Sequence, residues 1–221
     1  MIRLIGFDLD GTLLDSLPDL TQAINYGLES VGLPVHSQEE TMSFIGNGAK
    51  VMIHKAVAPL EDDAIEQKVR AGFDQYYGKH FYDRSRLFPG VKELLDFCLR
   101  YQIQPAVLSN KPDEFVKLII KTIFPDNPFG GVMGQSDRFP KKPDPAAFFQ
   151  IQKDLGMVPE QCVYVGDSDV DILLAKNAGV FSIGVTWGYR PSEELIQAGA
   201  DLLVDHPSQI IDFLKKQNQI L

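Results

Sequence analysis

The chain has 221 residues, of which 44% are hydrophobic and 23% are charged, so it can bury a core and lacks the composition of a disordered protein. Asp and Glu outnumber Lys and Arg by 30 to 21, and the net charge of −9 argues against a nucleic-acid or membrane-surface partner. The sequence shows no signal peptide, no membrane-spanning segment and only two cysteines, both among apolar residues, so we expect a soluble, cytoplasmic protein.

Short apolar runs along the chain predict buried parallel strands, and the segments between most of them predict helices. The predicted strands cover residues 2–7, 105–108, 163–165, 183–186 and 202–204. The predicted helices cover residues 91–101, 114–123, 146–155 and 170–177. Repeated strand–helix units of this kind predict a Rossmann-like, doubly wound α/β fold with a parallel sheet.

Residues 16–85 interrupt this alternation because they carry helix signals and no convincing strand. One such signal is Ser37 followed by Glu40, which has the spacing of a capping box. We therefore expect a Rossmann-like catalytic core made of residues 1–15 and 86–221, with an inserted α-helical cap domain made of residues 16–85.

Two carboxylates, Asp8 and Asp10, follow the first predicted strand, at the end of the sheet where ligands bind in open α/β folds. Gly11 permits a turn that can aim them differently at one substrate. Because like charges separate the pKa values of neighbouring carboxyls, one can act as a nucleophile and the other as a general acid. Taken alone, the pair could also simply cap a turn.

Two further segments carry groups that suit a phosphate. Ser109 and Asn110 end the second predicted strand and offer a hydroxyl and an amide, although they would also suit a helix cap. Lys142 precedes a proline that restricts the backbone, so it can present a fixed cation, although paired lysines are often only solvated.

The segment from Gly166 to Asp171 ends another predicted strand and contains three aspartates. Carboxylate oxygens are the ligands that Mg²⁺ prefers. With Asp8 and Asp10, the side chains of Asp167 and Asp171 would surround a phosphate dianion, and each close pair of like charges costs about 4 kcal/mol at an effective dielectric of 20. The sequence therefore predicts a Mg²⁺ cofactor.

In this order, the segments resemble the four motifs of the haloacid dehalogenase superfamily over nearly the whole chain. The motif segments are Asp8-Leu9-Asp10-Gly11-Thr12, Ser109-Asn110, Lys142-Pro143 and Gly166-Asp167-Ser168-Asp169-Val170-Asp171. Flanking segments resemble the phosphoglycolate phosphatase branch of that superfamily. They are Thr12-Leu13-Leu14-Asp15-Ser16, Phe44-Ile45-Gly46-Asn47-Gly48, Phe88-Pro89-Gly90-Val91 and Gly184-Val185-Thr186-Trp187-Gly188.

The resemblance implies a mobile helical cap that closes over the substrate. It implies that Asp8 attacks phosphorus, that Asp10 protonates the leaving oxygen and then activates water, and that Mg²⁺ binds Asp8, the Asp10 carbonyl and Asp167. The other implied roles are phosphate binding by Ser109, Asn110 and Lys142, and support by Thr12, Gly166, Ser168 and Asp171.

We therefore expect a Mg²⁺-dependent phosphoric monoester hydrolase that acts on a small phosphorylated metabolite, 2-phosphoglycolate being favoured. Asp10 argues against dehalogenases and phosphonate hydrolases, and Thr12 favours hydrolysis over sugar phosphomutation. A phosphomutase, a nucleotide phosphatase or pyrophosphatase, and a non-catalytic receiver-like Mg²⁺-binding module remain alternatives, and the protein can be a monomer or a homodimer. The candidate specificity residues are Gly46, Asn47 and Lys50 in the predicted cap.

Overall fold

A computed structural model describes residues 1–220 of the chain. The strands are Leu4–Phe7 (β1), Leu14–Asp15 (β2), Arg86–Leu87 (β3), Gln104–Pro112 (β4), Gly131–Gln135 (β5), Cys162–Gly166 (β6), Phe181–Val185 (β7) and Leu202–Val204 (β8). The helices are Leu17–Glu29 (α1), Gln38–Met42 (α2), Ala49–Val57 (α3), Asp63–His80 (α4), Val91–Arg100 (α5), Asp113–Ile123 (α6), Ala146–Asp154 (α7), Asp169–Ala178 (α8), Ser192–Ala198 (α9) and Pro207–Asn218 (α10). None of these helices combines the length and the apolar character needed to cross a membrane.

Six strands form one parallel sheet in the order β5-β4-β1-β6-β7-β8. Alternate residues of β1 pack on opposite faces, with Ile5 and Phe7 in the core cluster that includes α5 and α10, and Leu4 in the cluster that includes α7 and α8. Gly6 leaves room for the Phe148 ring, which a Cβ atom would approach to 2.7 Å. Helices cover both faces of the sheet, so the predicted doubly wound α/β class is confirmed.

Helices α1 to α4 lie between β2 and β3, which pair with each other as a short antiparallel ribbon. We call residues 16–85 the helical insert. Its helices α1 and α4 pack closely at Gly27 and Gly72, where a Cβ on Gly72 would lie 2.9 Å from the Gly27 Cα atom. The apolar cluster of the insert also includes Phe115 and Tyr189, which belong to the rest of the chain. The insert is therefore packed against the sheet edge that carries the predicted site.

The strands and helices predicted from the sequence are present, with ends that shift by a few residues. The capping box of Ser37 and Glu40 is also confirmed, and both cysteines are buried and free. Strand β5 was not predicted, because its glycine-containing, partly exposed sequence lacks an apolar run. The two-residue strands β2 and β3 were missed because they are too short to show a pattern.

Candidate active site

The carboxyl ends of β1, β4 and β6 are neighbours in the sheet and carry most of the predicted site residues. Asp8 directly follows β1, Ser109 and Asn110 lie in β4, and Asp167 directly follows β6. All four residues are buried. The parallel topology therefore brings together polar groups from three strands that are far apart in the sequence, since strands that run the same way end at the same edge.

Asp8 is paired with a buried lysine. The Lys142 Nζ atom lies 3.0 Å from Asp8 Oδ1 and 2.7 Å from Asp171 Oδ1. Burial raises the pKa of Asp8 to about 6 against the opposing charge of Lys142, and the Asp171 and Asp10 carboxylates add to the rise. Within residues 1–220, the polar contacts of Asp8 fall on Oδ1, so Oδ2 is available to another partner.

Asp10 is held by a hydroxyl group and by a second buried lysine. Its Oδ1 accepts a hydrogen bond from Ser16 Oγ at 2.6 Å, and Lys111 Nζ lies 3.0 and 3.1 Å from its two oxygens. Gly11 adopts a φ of +84°, a conformation that favours glycine, and a Cβ there would lie 2.3 Å from an Asp167 oxygen. The turn after β1 therefore gives the two carboxylates separate surroundings, as the sequence suggested.

Asn110 binds the backbone of Lys142. Its Oδ1 accepts from Lys142 N at 2.8 Å, and its Nδ2 donates to Lys142 O at 3.2 Å and to Gly46 O at 3.1 Å. These bonds orient Lys142 and tie the insert to the core. The Ser109 hydroxyl accepts from Lys111 N at 3.4 Å and keeps its own proton for an acceptor.

Asp171 is completely enclosed and uses both of its oxygens. Oδ2 accepts from Ser168 N at 3.2 Å and from Ser168 Oγ at 2.6 Å, while Oδ1 receives the Lys142 ammonium. A Cβ on Gly166 would lie 2.2 Å from the Asp171 Cγ atom, so this packing needs glycine. Asp171 therefore orients the lysine and the turn between β6 and α8.

Asp167 is fixed from two sides. Thr12 Oγ1 donates to its Oδ1 at 3.0 Å, and Tyr189 N donates to its Oδ2 at 2.8 Å. A Cβ on Gly188 would lie 2.2 Å from the Asp167 Cβ atom. Burial, together with the neighbouring carboxylates of Asp171 and Asp8, raises the pKa of Asp167 to about 8.

The carboxylates of Asp8, Asp167 and Asp171 form a cluster that fits a hard cation. One oxygen from each lies within 4.8 Å of the others. All three residues are buried, and Lys142 is the cation that the salt bridges place beside two of them. Three buried carboxylates exceed one ammonium group in charge, so the donor set suits a divalent ion. The Asp10 side chain is not a member of this cluster.

Comparison with known proteins places these motifs in a family. Residues 5–185 match the family model described as haloacid dehalogenase-like hydrolase, which covers most of the chain. The chain belongs to this hydrolase family. The predicted superfamily resemblance is therefore confirmed.

Similar proteins align with this hydrolase over nearly its whole length. It is 37% identical over 219 residues to a phosphoglycolate phosphatase of Vibrio parahaemolyticus. The alignment covers 96% of this chain and 95% of the relative. A solved structure described as a predicted phosphoglycolate phosphatase from Haemophilus somnus has a TM-score of 0.90 and 35% identity, covering 96% and 98% of the two chains. CbbY from Rhodobacter sphaeroides, solved in complex with phosphate, has a TM-score of 0.75 and 26% identity, covering 95% and 96%.

A cavity of about 40 Å³ lies between the core and the helical insert of this hydrolase. Since one water needs roughly 10–15 Å³ by this measure, the cavity has room for about three waters. Asp8 and Asp10 line it together with residues of β4 and of the insert. The other lining residues are Leu20, Ile45, Gly46, Gly48, Ala49, Met52, Phe73, Tyr77, Ser109, Asn110, Lys111, Pro112 and Phe115.

The three candidate specificity residues of the insert have different places. Gly46 lines the cavity and accepts from Asn110, and the Asn47 carbonyl accepts from Lys141 Nζ at 3.2 Å. Lys50 is exposed on α3 and is not among the residues lining this cavity. The structure therefore does not bring Lys50 together with Asp8.

Lys111 and Tyr77 were not singled out from the sequence, although both line the cavity. Burial opposes the charge of Lys111, but the Asp10 carboxylate and Tyr77 together outweigh it and hold the pKa of this lysine above its ordinary value. Burial also raises the pKa of Tyr77 to about 12. Lys111 could have been found from the sequence, because it directly follows Asn110 near the end of a strand. Tyr77 lies in the middle of a helical pattern, and no sequence signal marks it.

Proposed function

We propose that this hydrolase is a Mg²⁺-dependent phosphatase that transfers the phosphoryl group of a small monoester first to Asp8 and then to water. The observation that carries this proposal is the position of Asp8. Lys142 holds one of its oxygens, and Asp8 belongs to the three-carboxylate cluster and lines the cavity together with Asp10. A nucleophile, a fixed cation and a second carboxylate are the groups that such a two-step transfer needs.

In the first step, an Asp8 carboxylate oxygen forms a bond to phosphorus while the bond from phosphorus to the ester oxygen breaks. Asp10 gives its proton to the leaving oxygen, and the alcohol departs. In the second step, a water oxygen forms a bond to phosphorus and gives a proton to Asp10, while the bond between phosphorus and Asp8 breaks. Inorganic phosphate leaves, and both carboxyl groups return to their starting states.

Lys142 and Ser109 can hold the phosphoryl oxygens during both steps. Lys142 has its charge fixed beside Asp8, since its pKa is held well above the ordinary value by the Asp171 and Asp8 carboxylates against the effect of burial. Ser109 has a hydroxyl proton to donate. Asp8 and Asp167 are the side chains that would hold Mg²⁺, which, when bound, supplies positive charge against the repulsion between phosphate and carboxylates.

We propose 2-phosphoglycolate as the favoured substrate. The relatives that align over nearly the whole chain are named phosphoglycolate phosphatases. The small volume and apolar lining of the cavity also favour a substrate with few atoms beyond its phosphate over a hexose phosphate or a nucleotide. The receiver-like alternative does not fit a chain whose residues 5–185 match a hydrolase family.

We further propose that the helical insert is a cap that opens to admit substrate and closes over it. The β2–β3 ribbon, which joins both ends of the insert to the core, is the natural hinge.

Two buried free cysteines suit a reducing compartment, which is consistent with a cytoplasmic enzyme.

A substrate panel tests the proposal. Phosphate release from 2-phosphoglycolate, glucose 6-phosphate, AMP and pyrophosphate is measured with Mg²⁺ for the wild type and for Asp8→Asn. We expect kcat/KM to be at least about tenfold higher for 2-phosphoglycolate than for the others. We expect Asp8→Asn to be inactive toward all of them, because an amide lacks the attacking charge. Persistent activity in that variant would contradict the assigned nucleophile, and a panel led by a hexose phosphate would contradict the substrate.

A further inference from the structure

Lys111 and Tyr77 meet at the cavity wall, one from the core and one from the helical insert. Lys111 is in β4 and Tyr77 is in α4. The Lys111 Nζ atom lies over the Tyr77 ring, 4.8 Å from the ring centroid. Both residues line the cavity that also contains Asp8 and Asp10.

The Tyr77 hydroxyl is buried, its polar neighbour in the described part of the chain is the Lys111 ammonium, and no group there meets it in hydrogen-bond geometry. The residue is 1% exposed. Buried hydroxyls in native proteins nearly always have a partner, so this one at a cavity wall is placed to bond a water or a ligand in the cavity. Because burial raises its pKa to about 12, this hydroxyl keeps its proton and can donate it.

The Lys111 ammonium also has donor capacity beyond its protein contact. Its side chain is 5% exposed, and its carboxylate partner in residues 1–220 is Asp10, at 3.0 and 3.1 Å. An ammonium group has three N–H donors, and two bonds to Asp10 leave one, which lies beside Tyr77 and can turn to a bound acceptor. Lys142, the other buried lysine of the site, lies beside Asp8 and Asp171 and is not among the residues lining this cavity.

Most of the cavity lining near this pair is apolar. Leu20, Ile45, Met52, Phe73 and Phe115 offer no side-chain hydrogen bond. A sugar or ribose in this space would bury several hydroxyls without partners, which is costly. A carboxylate, in contrast, can accept from the tyrosine hydroxyl and from the ammonium group at the same time.

We propose that Lys111 and Tyr77 together bind the carboxylate of the substrate and so determine its class, a phosphorylated 2-hydroxy acid of very few carbons. The inference rests on the proposed phosphatase function and deepens it. One carbon separates the ester oxygen from the carboxylate in 2-phosphoglycolate. With phosphorus at Asp8, that carboxylate therefore stays in the small cavity that Lys111 and Tyr77 line. The pair spans the boundary between core and insert, so it is complete when the insert is closed.

The test compares two substrates of similar size, 2-phosphoglycolate and ethyl phosphate, which has a methyl group in place of the carboxylate. The ratio of their kcat/KM values is measured for the wild type, Lys111→Met and Tyr77→Phe. We expect the preference for 2-phosphoglycolate to fall by about 10- to 100-fold in Lys111→Met and by roughly 5- to 10-fold in Tyr77→Phe, because a hydrogen bond to a charged group is lost in each. Lys68→Met, an exposed lysine on the same helix as Tyr77, serves as the control and keeps the wild-type ratio.

Thermal unfolding of Tyr77→Phe without ligand provides a second readout. If the Tyr77 hydroxyl binds substrate and no protein group, its removal breaks no hydrogen bond within the protein, so we expect an unchanged or higher Tm. A clear drop in Tm would show a structural partner for the hydroxyl and would overturn its assignment.

Equal losses on both substrates in Lys111→Met would also overturn the inference, since the lysine would then act only through Asp10. A selective loss in Lys50→Met but not in Lys111→Met would likewise assign the carboxylate to Lys50. A wild type that releases phosphate from neither substrate is a different result, because it contradicts the proposed function itself.

Discussion

Lys142 is the residue on which the charge balance of the site depends. Its ammonium group lies 3.0 Å from Asp8 and 2.7 Å from Asp171, and its side chain is 1% exposed. A buried carboxylate pair without this cation is strained by mutual repulsion and by desolvation. Asn110 keeps the lysine in place through two hydrogen bonds to its backbone.

Replacing Lys142 tests this balance. In Lys142→Met, we expect the free energy of unfolding to fall by about 3–5 kcal/mol, because two buried carboxylates lose their partner. We also expect kcat to fall by roughly 100-fold or more, since a fixed positive charge at the phosphoryl group is lost. Urea unfolding and steady-state kinetics with 2-phosphoglycolate measure the two effects.

Lys141→Met is the matched control, because this neighbour is exposed and its ammonium group binds the Asn47 carbonyl and no carboxylate among the described residues. We expect its stability to stay within about 0.5 kcal/mol of the wild type. If Lys142→Met raised KM alone and left kcat and stability unchanged, the lysine would be a binding residue without the proposed role at Asp8.

The residues of the four motifs could be located from sequence because they follow a predicted strand or, in the case of Lys142, precede a predicted helix. Lys50 was a candidate specificity residue only because it follows the Gly46–Gly48 turn closely in the sequence. The buried apolar residues of α3, at positions 49, 52, 53, 56 and 57, put position 50 at the border of the buried face, so periodicity alone does not decide its place. The pairing of Lys111 with Tyr77 could not be predicted, since it joins two elements that are 34 residues apart in different layers.

At the level of elements, the loop between β7 and α9 holds the helical insert against the core. Arg190 in this loop donates from Nη1 to Met42 O at 3.2 Å and from Nη2 to Ile45 O. Its Nε atom lies 3.4 Å from the Glu194 carboxylate. Two backbone carbonyls of the insert are thus bound by one side chain of the core beside the cavity.

Arg190→Met should weaken closure of the insert. We expect KM for 2-phosphoglycolate to rise by roughly tenfold, because closure excludes water and completes the cavity. The loss of stability should be about 1–3 kcal/mol for the two hydrogen bonds. Glu194→Gln keeps both carbonyl bonds and should leave KM close to the wild-type value. Wild-type kinetics in Arg190→Met would argue against a closing role for this contact.

The elements themselves were predictable to the extent that they bury an apolar face. Strand β6 and helix α5 show clear apolar patterns and were found. Strand β5 lies at the sheet edge with its residues half-buried, so hydrophobicity does not mark it. The β2–β3 ribbon depends on a contact between residues about 70 positions apart, which no local pattern records.

At the scale of the whole molecule, the acidic cluster couples metal binding to stability. Burial raises the pKa of Asp8 to about 6 and that of Asp167 to about 8, from an ordinary value of 3.8. Between pH 4 and pH 8, the metal-free folded protein therefore binds more protons at these groups than the unfolded chain does. These two groups make stability fall as the pH rises through this window, since the slope follows the protons bound by the unfolded state minus those bound by the folded state.

Mg²⁺ should oppose this loss, because it binds the deprotonated carboxylates of the folded state. We expect saturating Mg²⁺ to raise Tm more at pH 8 than at pH 5, as measured by differential scanning fluorimetry against EDTA. Asp167→Asn removes one of the two groups and should reduce the Mg²⁺ effect at pH 8. A larger Mg²⁺ shift at pH 5 would contradict the assignment of this cluster as the metal site.

Asp8 carries the phosphoryl group between the two steps of the proposed reaction, and trapping the phosphorylated protein tests this role. Asp10→Asn lacks the base for the second step, so the Asp8 acyl phosphate should accumulate with an activated monoester such as p-nitrophenyl phosphate, which needs no acid to lose its alcohol. Borohydride reduction of the quenched protein, followed by peptide mass spectrometry, should then show homoserine in place of aspartate at position 8. No homoserine should form at that position in the Asp8→Asn/Asp10→Asn double variant. Homoserine at another aspartate, or none at position 8 while Asp10→Asn still releases p-nitrophenol, would contradict the account.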